Sequence, residues 1–323
     1  MGLWEINADT LATGRFTISP LIETFACLMR LVGNTADHPG ERDWLAAHHP
    51  RFAQRLAGDP VTAELVRAML GKGWIADFLT PTPYGTADED FEKEVARVRA
   101  TSPGQARADL LVSLGGRPLP AILDRADLAD RAADLLAWVW AETVEPDWPR
   151  RRRILEADIV ARTDRLSQSG WAAALDEMRP GMRWLGSGRL RINSYDYPPR
   201  EITDAQLFFV PVTTARHGWV SWAEPERYAI IYPCTGALTT PDTAAPGALG
   251  RLLGEHRAAV LMLLDGPKST TQLVALTGQG LGSVGRHLKV LLEARLVERR
   301  RAGRSVLYSR TGAGDTLVAA QLD

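Results

Sequence analysis

The chain has 323 residues, enough for two ordinary domains, and its composition of 45% hydrophobic and 24% charged residues is typical of a soluble globular protein. No run approaches the roughly 18 apolar residues of a membrane-spanning helix, and the first residues lack the pattern of a secretory signal. Two widely spaced cysteines make a disulfide framework improbable, so we expect a cytoplasmic protein.

The net charge of −1 is unevenly distributed along the chain. Residues 249–311 contain eleven Arg and Lys but four Asp and Glu, which gives this segment +7 and leaves −8 for the rest. A basic module attached to an acidic one is expected when only one of the two binds phosphate.

The N-terminal half reads mainly as helices. Residues 15–18 alternate like a short strand, and Ser19 then caps a helix in which Pro20 occupies the first turn, where its missing N–H is not needed. Apolar periodicity predicts further helices over Asp43–Leu56, Pro60–Leu70, Asp88–Ala100, Pro103–Leu114, Leu128–Thr143, Trp148–Gln168 and Trp171–Met178.

After Pro180 the pattern predicts a small, mostly antiparallel sheet. Short segments rich in aromatic and β-branched residues alternate with Gly, Pro, Asn and Asp. The predicted strands are Arg183–Leu185, Arg189–Ile192, Leu207–Val210, Trp219–Trp222 and Tyr228–Tyr232. Because strand residues alternate between faces, Phe208 and Phe209 are not both expected to point inward. Gly236–Gly247 has the composition of a linker.

From Ala248 onwards the pattern predicts helices joined by tight turns. An apolar helix face runs from Leu249 to Leu264 with a bend near Gly254, and a short helix capped by Ser269 or Thr270 ends at the turn Gly278–Gly280. The following helix has an exposed polar side with Ser283, Arg286 and His287, which could enter a major groove. Its predicted buried residues are Val284, Leu288, Leu291 and Leu292.

Residues 296–310 read as a β-hairpin with an arginine-rich tip. A basic hairpin beside a groove-sized helix is a wing, whose arginines would contact phosphates or the minor groove. The predicted DNA-binding residues of helix and wing are Gln279, Ser283, Arg286, His287, Lys289, Arg300, Arg301 and Arg304.

The run from Val284 to Val297, followed by the Arg-Ala-Gly-Arg-Ser-Val-Leu-Tyr hairpin, resembles the ArsR-type winged-helix regulators. Family members usually carry a serine near Gly285 and a glycine at Arg295, so this chain departs from the pattern at two positions. The upstream part is similar to a long N-terminal domain of some such regulators in high-GC bacteria, a domain of no established general function. That similarity rests on Arg15–Pro20, Asp77–Pro81, Phe91–Ala100 and Asp147–Asp158.

The sequence gives little support for metal sensing or for catalysis. Many ArsR-type proteins sense metals, but residues 268–281 contain neither Cys nor His, and none follows His287. Cys27 and Cys234 could meet only through folding. We predict no metal site and no cofactor. With no nucleophile elbow, P-loop or zinc-protease motif, we also predict that the chain is not an enzyme.

All ten tryptophans precede Ala248. They can form an aromatic core, or they can line an apolar pocket between sheet and helices. The candidate ligand-binding residues are Trp138, Trp140, Trp184, Phe208, Trp219, Trp222 and Tyr228.

Together these patterns predict an α+β protein with a mostly helical N-terminal domain that carries the small sheet (1–235), a linker (236–247) and a C-terminal winged helix-turn-helix (248–323). We expect a homodimeric one-component repressor that binds a double-stranded DNA operator and responds to a small, mostly apolar effector, without membrane association. The alternatives are a regulator gated by a protein partner and an enzyme fused to a DNA-binding module. An enclosed apolar cavity with few convergent polar groups would favour the effector-binding regulator, and a bonded titratable cluster in addition would favour the enzyme. A large exposed apolar patch with neither feature would favour the partner-gated regulator.

Overall fold

The computed structural model describes residues 2–36, 39–71, 73–86, 89–176, 178–195, 198–214, 217–223, 225–234, 247–264, 268–302 and 305–320. The chain divides into a first unit, residues 1–148 and 175–233, and a second unit, residues 149–174 and 234–323. Residues 149–174, which the sequence placed with the N-terminal domain, are thus grouped with the C-terminal part. The predicted linker lies outside the described residues except for Gly247.

Apart from the first, the helices up to residue 176 follow the predicted order. They are α1 (Ala8–Ala12), α2 (Pro20–Gly33), α3 (Pro39–Gly58), α4 (Pro60–Met69), α5 (Phe91–Arg99), α6 (Pro103–Ser113), α7 (Leu128–Val139) and α8 (Trp148–Asp176). The predicted start of α2 is confirmed, because the Ser19 hydroxyl accepts a hydrogen bond from the Ile22 N–H at 3.1 Å. Gly170, with φ 72°, interrupts α8 between the two helices predicted there.

Short turns of other helix types connect these helices. Residues Asp77–Leu79, Ala121–Leu123 and Glu145–Asp147 form 3₁₀ turns, and Trp140–Val144 forms a π-helical turn directly after α7. The main core of the first unit surrounds α2, which is buried along nearly its whole length and contacts α3, α5 and α7.

The strands of the first unit form two four-stranded sheets. They are β1 (Leu3–Ile6), β2 (Arg15–Phe16), β3 (Arg183–Gly186), β4 (Arg189–Arg191), β5 (Arg200–Ile202), β6 (Gln206–Val212), β7 (Trp219–Ala223) and β8 (Arg227–Pro233). Their orders are β3-β4-β1-β5 and β2-β6-β8-β7. The sequence did not predict β1, α1 or β5.

The prediction of a mostly antiparallel sheet was wrong, because both sheets are mixed. Strand β8 lies between β6, to which it is parallel, and β7, to which it is antiparallel. Strands β1–β5 and β2–β6 are also parallel pairs. Continuous apolar runs such as those of β6 and β8 are typical of parallel strands covered on both faces.

That double coverage also corrects the expectation for Phe208 and Phe209. The two rings do lie on opposite faces, yet both are fully buried. Phe208 belongs to the main helical core, whereas Phe209 lies 5.4 Å from the ring of Phe16. The alternation rule held, but the assumption of a single buried face did not.

The C-terminal part of the second unit contains α9 (Gly247–Leu253), α10 (Glu255–Leu263), β9 (Lys268–Ser269), α11 (Thr270–Thr277), α12 (Leu281–Glu293), β10 (Val297–Ala302), β11 (Ser305–Arg310) and α13 (Gly312–Ala319). The predicted bend lies at Gly254, with φ 84°. Strands form a sheet in the order β10-β11-β9. Helix α13, which the sequence did not predict, adds Val318 to the core.

Within the described residues, every helix falls short of the length and apolar character that a membrane crossing requires.

One buried leucine and one exposed leucine of α12 provide a test of stability. Leu288 is 1% exposed in the core, whereas Leu281 is 63% exposed in the first turn. Leu288→Ala should therefore lower the free energy of unfolding by about 2–5 kcal/mol, because it removes buried methyl groups and leaves a cavity. Leu281→Ala should change it by less than about 0.5 kcal/mol. Urea denaturation would measure both, and equal losses would contradict the packing described for α12.

Candidate functional sites

Two tight local structures set the position of α12. At the start of α11 the Ser269 N–H donates to the Gln272 side chain at 2.7 Å, and the Gln272 N–H donates to the Ser269 hydroxyl at 3.2 Å. This reciprocal arrangement is a capping box. At the other end, Gly278 adopts a left-handed conformation with φ 68° that stops α11 and turns the chain into α12.

Helix α12 buries Val284, Leu288 and Leu291, as predicted, and leaves its opposite side polar. Leu292 is only partly buried. Arg286 and Lys289 are exposed, and Lys289 lies 3.9 Å from Glu293. Both cations can therefore contact an approaching polyanion without any rearrangement of the core.

Three predicted DNA-binding residues form a hydrogen-bonded cluster. The Ser283 hydroxyl lies 3.2 Å from Gln279 Oε1 and 3.2 Å from His287 Nε2. Gln279 in turn lies 3.3 Å from His256 Nδ1 on α10. Burial lowers the pKa of His287, and the nearby positive charges of α10 and α12 lower it further, so the neutral imidazole is favoured. The cluster can offer neutral donors and acceptors to base edges.

Sequence reasoning missed Leu281. It belongs neither to the predicted buried residues of this helix nor to the predicted DNA-binding residues, and it is 63% exposed one turn before the packed residues. An exposed aliphatic side chain at the start of such a helix can contact a thymine methyl group.

The predicted wing is confirmed as a hairpin of β10 and β11, in which Arg299 pairs with Tyr308 and Arg301 with Val306. Arg299, Arg300 and Arg301 are all exposed. Successive side chains of a strand alternate, so the three cations extend to both sides of the hairpin. Arg304 lies outside the described residues.

Residues 257–299 match the family model described as bacterial regulatory protein, arsR family. The C-terminal module is an ArsR-family helix-turn-helix domain. The match spans α10, the capping box, the glycine turn and α12, and it ends within β10. This ArsR-family domain supports a DNA-binding transcription regulator. No curated protein and no solved structure matches the chain. The resemblance of the upstream residues to a long N-terminal domain stays a prediction.

The first unit contains a cavity of about 950 Å³. Six aromatic residues line it: Trp4, Trp74, Tyr195, Trp219, Trp222 and Tyr228. Its charged or titratable lining residues are Asp77, Arg179, Arg200, Glu201 and His217. At Gly73 the backbone lies close to the Tyr195 ring, because a Cβ added to this glycine would be 2.7 Å from that ring. A space of this size suits a drug-sized organic molecule.

Three of the seven predicted ligand-binding residues, Trp219, Trp222 and Tyr228, line this cavity. The other four lie elsewhere. Trp138 packs near Phe52, and Trp140 stacks on Phe91 at 4.6 Å. Phe208 is in the core, and Trp184 lies half-buried on β3.

The cavity also has lining residues that sequence reasoning missed. Trp4 lies on the unpredicted strand β1, and Trp74 and Arg179 lie between regular elements. No local pattern marks them, because segments more than 100 residues apart bring them together.

The described residues contain no group of three His, Cys, Asp or Glu side chains arranged to hold a metal ion. Cys27 and Cys234 are buried and unlinked.

Charge reversal on the polar side of α12 tests its role. Arg286→Glu should weaken binding to a selected DNA site by at least about 100-fold, because a contact of 1–3 kcal/mol becomes a repulsion from phosphate. Fluorescence anisotropy with labelled duplex would measure the loss, with circular dichroism to verify folding. Arg251→Glu, the same reversal at an exposed position of α9, is the control and should change affinity only severalfold. A folded Arg286→Glu protein with unchanged affinity would rule out α12 as the reading helix.

The wing should supply affinity that does not depend on sequence. Arg300→Ala combined with Arg301→Ala should weaken selected and random DNA by similar factors. Each lost phosphate contact should flatten the slope of log affinity against log salt by about 0.9. Titrations at several salt concentrations would measure the slope. A loss confined to the selected site, with an unchanged slope, would instead assign base reading to the wing.

Proposed function

We propose that the chain is a one-component, homodimeric transcriptional repressor whose first unit binds a small effector and whose ArsR-family domain binds an operator. The family match, together with the exposed cations of α12 and β10, is the observation that supports the DNA-binding part of this proposal. The chain is not proposed to be an enzyme, and no metal or cofactor is invoked.

The cavity supports the effector half of the proposal. It is walled by aromatic rings and has a few polar groups, which is the usual composition of a small-molecule site. The predicted effector was mostly apolar, and the rings of Trp74, Trp222 and Tyr228 provide apolar contact surface for it. An effector acts only if it binds one conformation of the regulator better than another.

The chain connectivity offers a route that would couple effector binding in the first unit to the second unit. Residues 149–174 belong to the second unit, and the chain returns to the first unit at Leu175. The cavity lining begins only four residues later, at Arg179. A molecule bound beside Arg179 would therefore restrain a segment directly continuous with the second unit.

A two-stage experiment tests the proposal. The purified full-length chain should select a roughly palindromic site with half-sites about one helical turn apart, and it should elute as a dimer. Reporter expression from a promoter with that site should fall when the chain is present. Small aromatic and aliphatic molecules would then be screened for release of the protein from labelled DNA, with tenfold weaker binding as the expected response.

Two tryptophan variants link the response to the cavity. Trp222→Ala should reduce release by the identified molecule at least about tenfold while leaving DNA affinity in its absence unchanged, because Trp222 lines the cavity. Trp184→Ala, on β3 outside the lining, should respond like the unaltered protein. Equal loss in both variants would place the effector site elsewhere, and an absence of any releasing molecule would favour the partner-gated alternative.

A further inference from the structure

One side chain of the cavity is electrostatically exceptional. The Nε and Nη1 atoms of Arg179 are completely buried, and neither has a hydrogen-bond partner among the described residues. Burial lowers the pKa of this guanidinium to about 10, and no carboxylate of the described residues counteracts that shift. Buried arginines are normally paired, because removal of a charge from water is costly. Among the described residues, Arg179 is thus a cation without a paired anion.

The cavity that Arg179 lines also has an aromatic wall. The rings of Trp74 and Trp222 meet edge to face with centroids 5.4 Å apart, and the Arg200 guanidinium lies 4.1 Å from the Trp222 ring centroid. Edge-to-face and cation–π contacts of this kind hold the two indole rings in place. The indole Nε1 of Trp219, also in the lining, is buried without a partner among the described residues.

We propose that the cavity takes an aromatic organic anion, whose rings lie against Trp74 and Trp222 and whose carboxylate or sulfonate pairs with Arg179. This inference rests on the proposed effector site and narrows it, since the sequence predicted only a mostly apolar molecule. A charge-assisted pair with a partly desolvated guanidinium is stronger than the same pair at a fully exposed surface.

A matched pair of fluorescent probes tests the proposal without DNA. Anilinonaphthalene sulfonate and N-phenylnaphthylamine share the same ring skeleton, and only the first is an anion. The full-length chain should bind the anion at least about tenfold more tightly than the neutral probe. Equal affinity for the two probes would overturn the role given to Arg179.

Variants test whether the preference for the anionic probe depends on Arg179. Arg179→Met should abolish the preference for the anion and leave binding of the neutral probe unchanged, whereas Arg179→Lys should retain part of it. Arg183→Met, which removes the same charge from an exposed position on β3, should behave like the unaltered protein. If Arg183→Met also abolishes the preference, general surface attraction explains the binding and the proposal fails.

Thermal unfolding separates this role from a structural one. Because Arg179 has no partner among the described residues, Arg179→Met should unfold at the same temperature as the unaltered protein or higher. A clear decrease in melting temperature would show that Arg179 is paired within the protein, and it would contradict the proposal.

Asp77 gives a second, independent readout. Burial raises the pKa of this cavity-lining carboxyl to about 7, with the charge of Asp109 adding to the shift and that of Arg200 opposing it. Above pH 7 the carboxylate becomes negative, so affinity for the sulfonate should fall severalfold between pH 6 and 8 while the neutral probe is unaffected. Asp77→Asn should remove this dependence. His217→Gln is the control for the histidine that also lines the cavity, and it should retain the dependence. A fall that persists in Asp77→Asn would contradict the placement of the anion.

The two proposals fail in different ways. Preferential anion binding that depends on Arg179 but never alters DNA affinity would support this inference and refute the effector role. Release of DNA by neutral molecules, with no preference for anions, would support the effector role and refute this inference.

Discussion

The first unit depends on a buried polar clamp between α2 and the end of β6. The Glu23 carboxylate, completely buried, accepts hydrogen bonds from the Thr213 N–H at 2.8 Å and from the Thr213 hydroxyl. About two turns further along α2, the Arg30 guanidinium donates to the Thr214 carbonyl at 2.8 and 3.1 Å and pairs with Glu41 at 3.0 Å. These bonds fix the point at which the chain leaves β6, and β7, which follows, carries the cavity-lining Trp219 and Trp222.

The contacts of Glu23 and Arg30 also show how buried charges are stabilised in this protein. Glu23 and Arg30 each satisfy their hydrogen-bonding groups, as buried ions must, because the desolvation of an unpaired ion costs several kcal/mol. Asp158 and Arg162 of α8 follow the same rule, with a contact of 2.9 Å. The rule is not uniform, since Glu94 Oε1, Arg97 Nε and the Nε and Nη1 atoms of Arg179 lack a hydrogen-bond partner among the described residues. Arg179 differs from the other two residues in that it lines the cavity.

The parts of the fold that were predicted from sequence are those determined by neighbouring residues. The cap at Ser19, the break at Gly170 and the turn at Gly278 each follow from a local preference of one or two side chains. Strand direction was not predictable in this way, since β8 inserts between β6 and β7, and only the three-dimensional pairing reveals it. Likewise the density of aromatic residues indicated a pocket and located Trp219, Trp222 and Tyr228, but it could not reveal Arg179. An isolated arginine in a sequence carries no sign that its guanidinium will be buried without a partner.

The exposed arginines of the second unit differ from Arg179 in their access to water. Arg286, Arg300 and Arg301 are also cations available to a partner, but they are exposed, so water solvates them until phosphate replaces it. Such side chains impose little penalty on the free protein, and many surfaces carry them for no reason of recognition. A buried guanidinium is different, because the folded chain must tolerate its desolvation at all times when no anion is present. The penalty is recovered only when a ligand supplies the missing charge. If the proposed anion binds, binding and stability would be linked at Arg179, since an anion that pairs with it would relieve a destabilising charge. Such an anion would shift a conformational equilibrium only to the extent that it binds one conformation more tightly than the other.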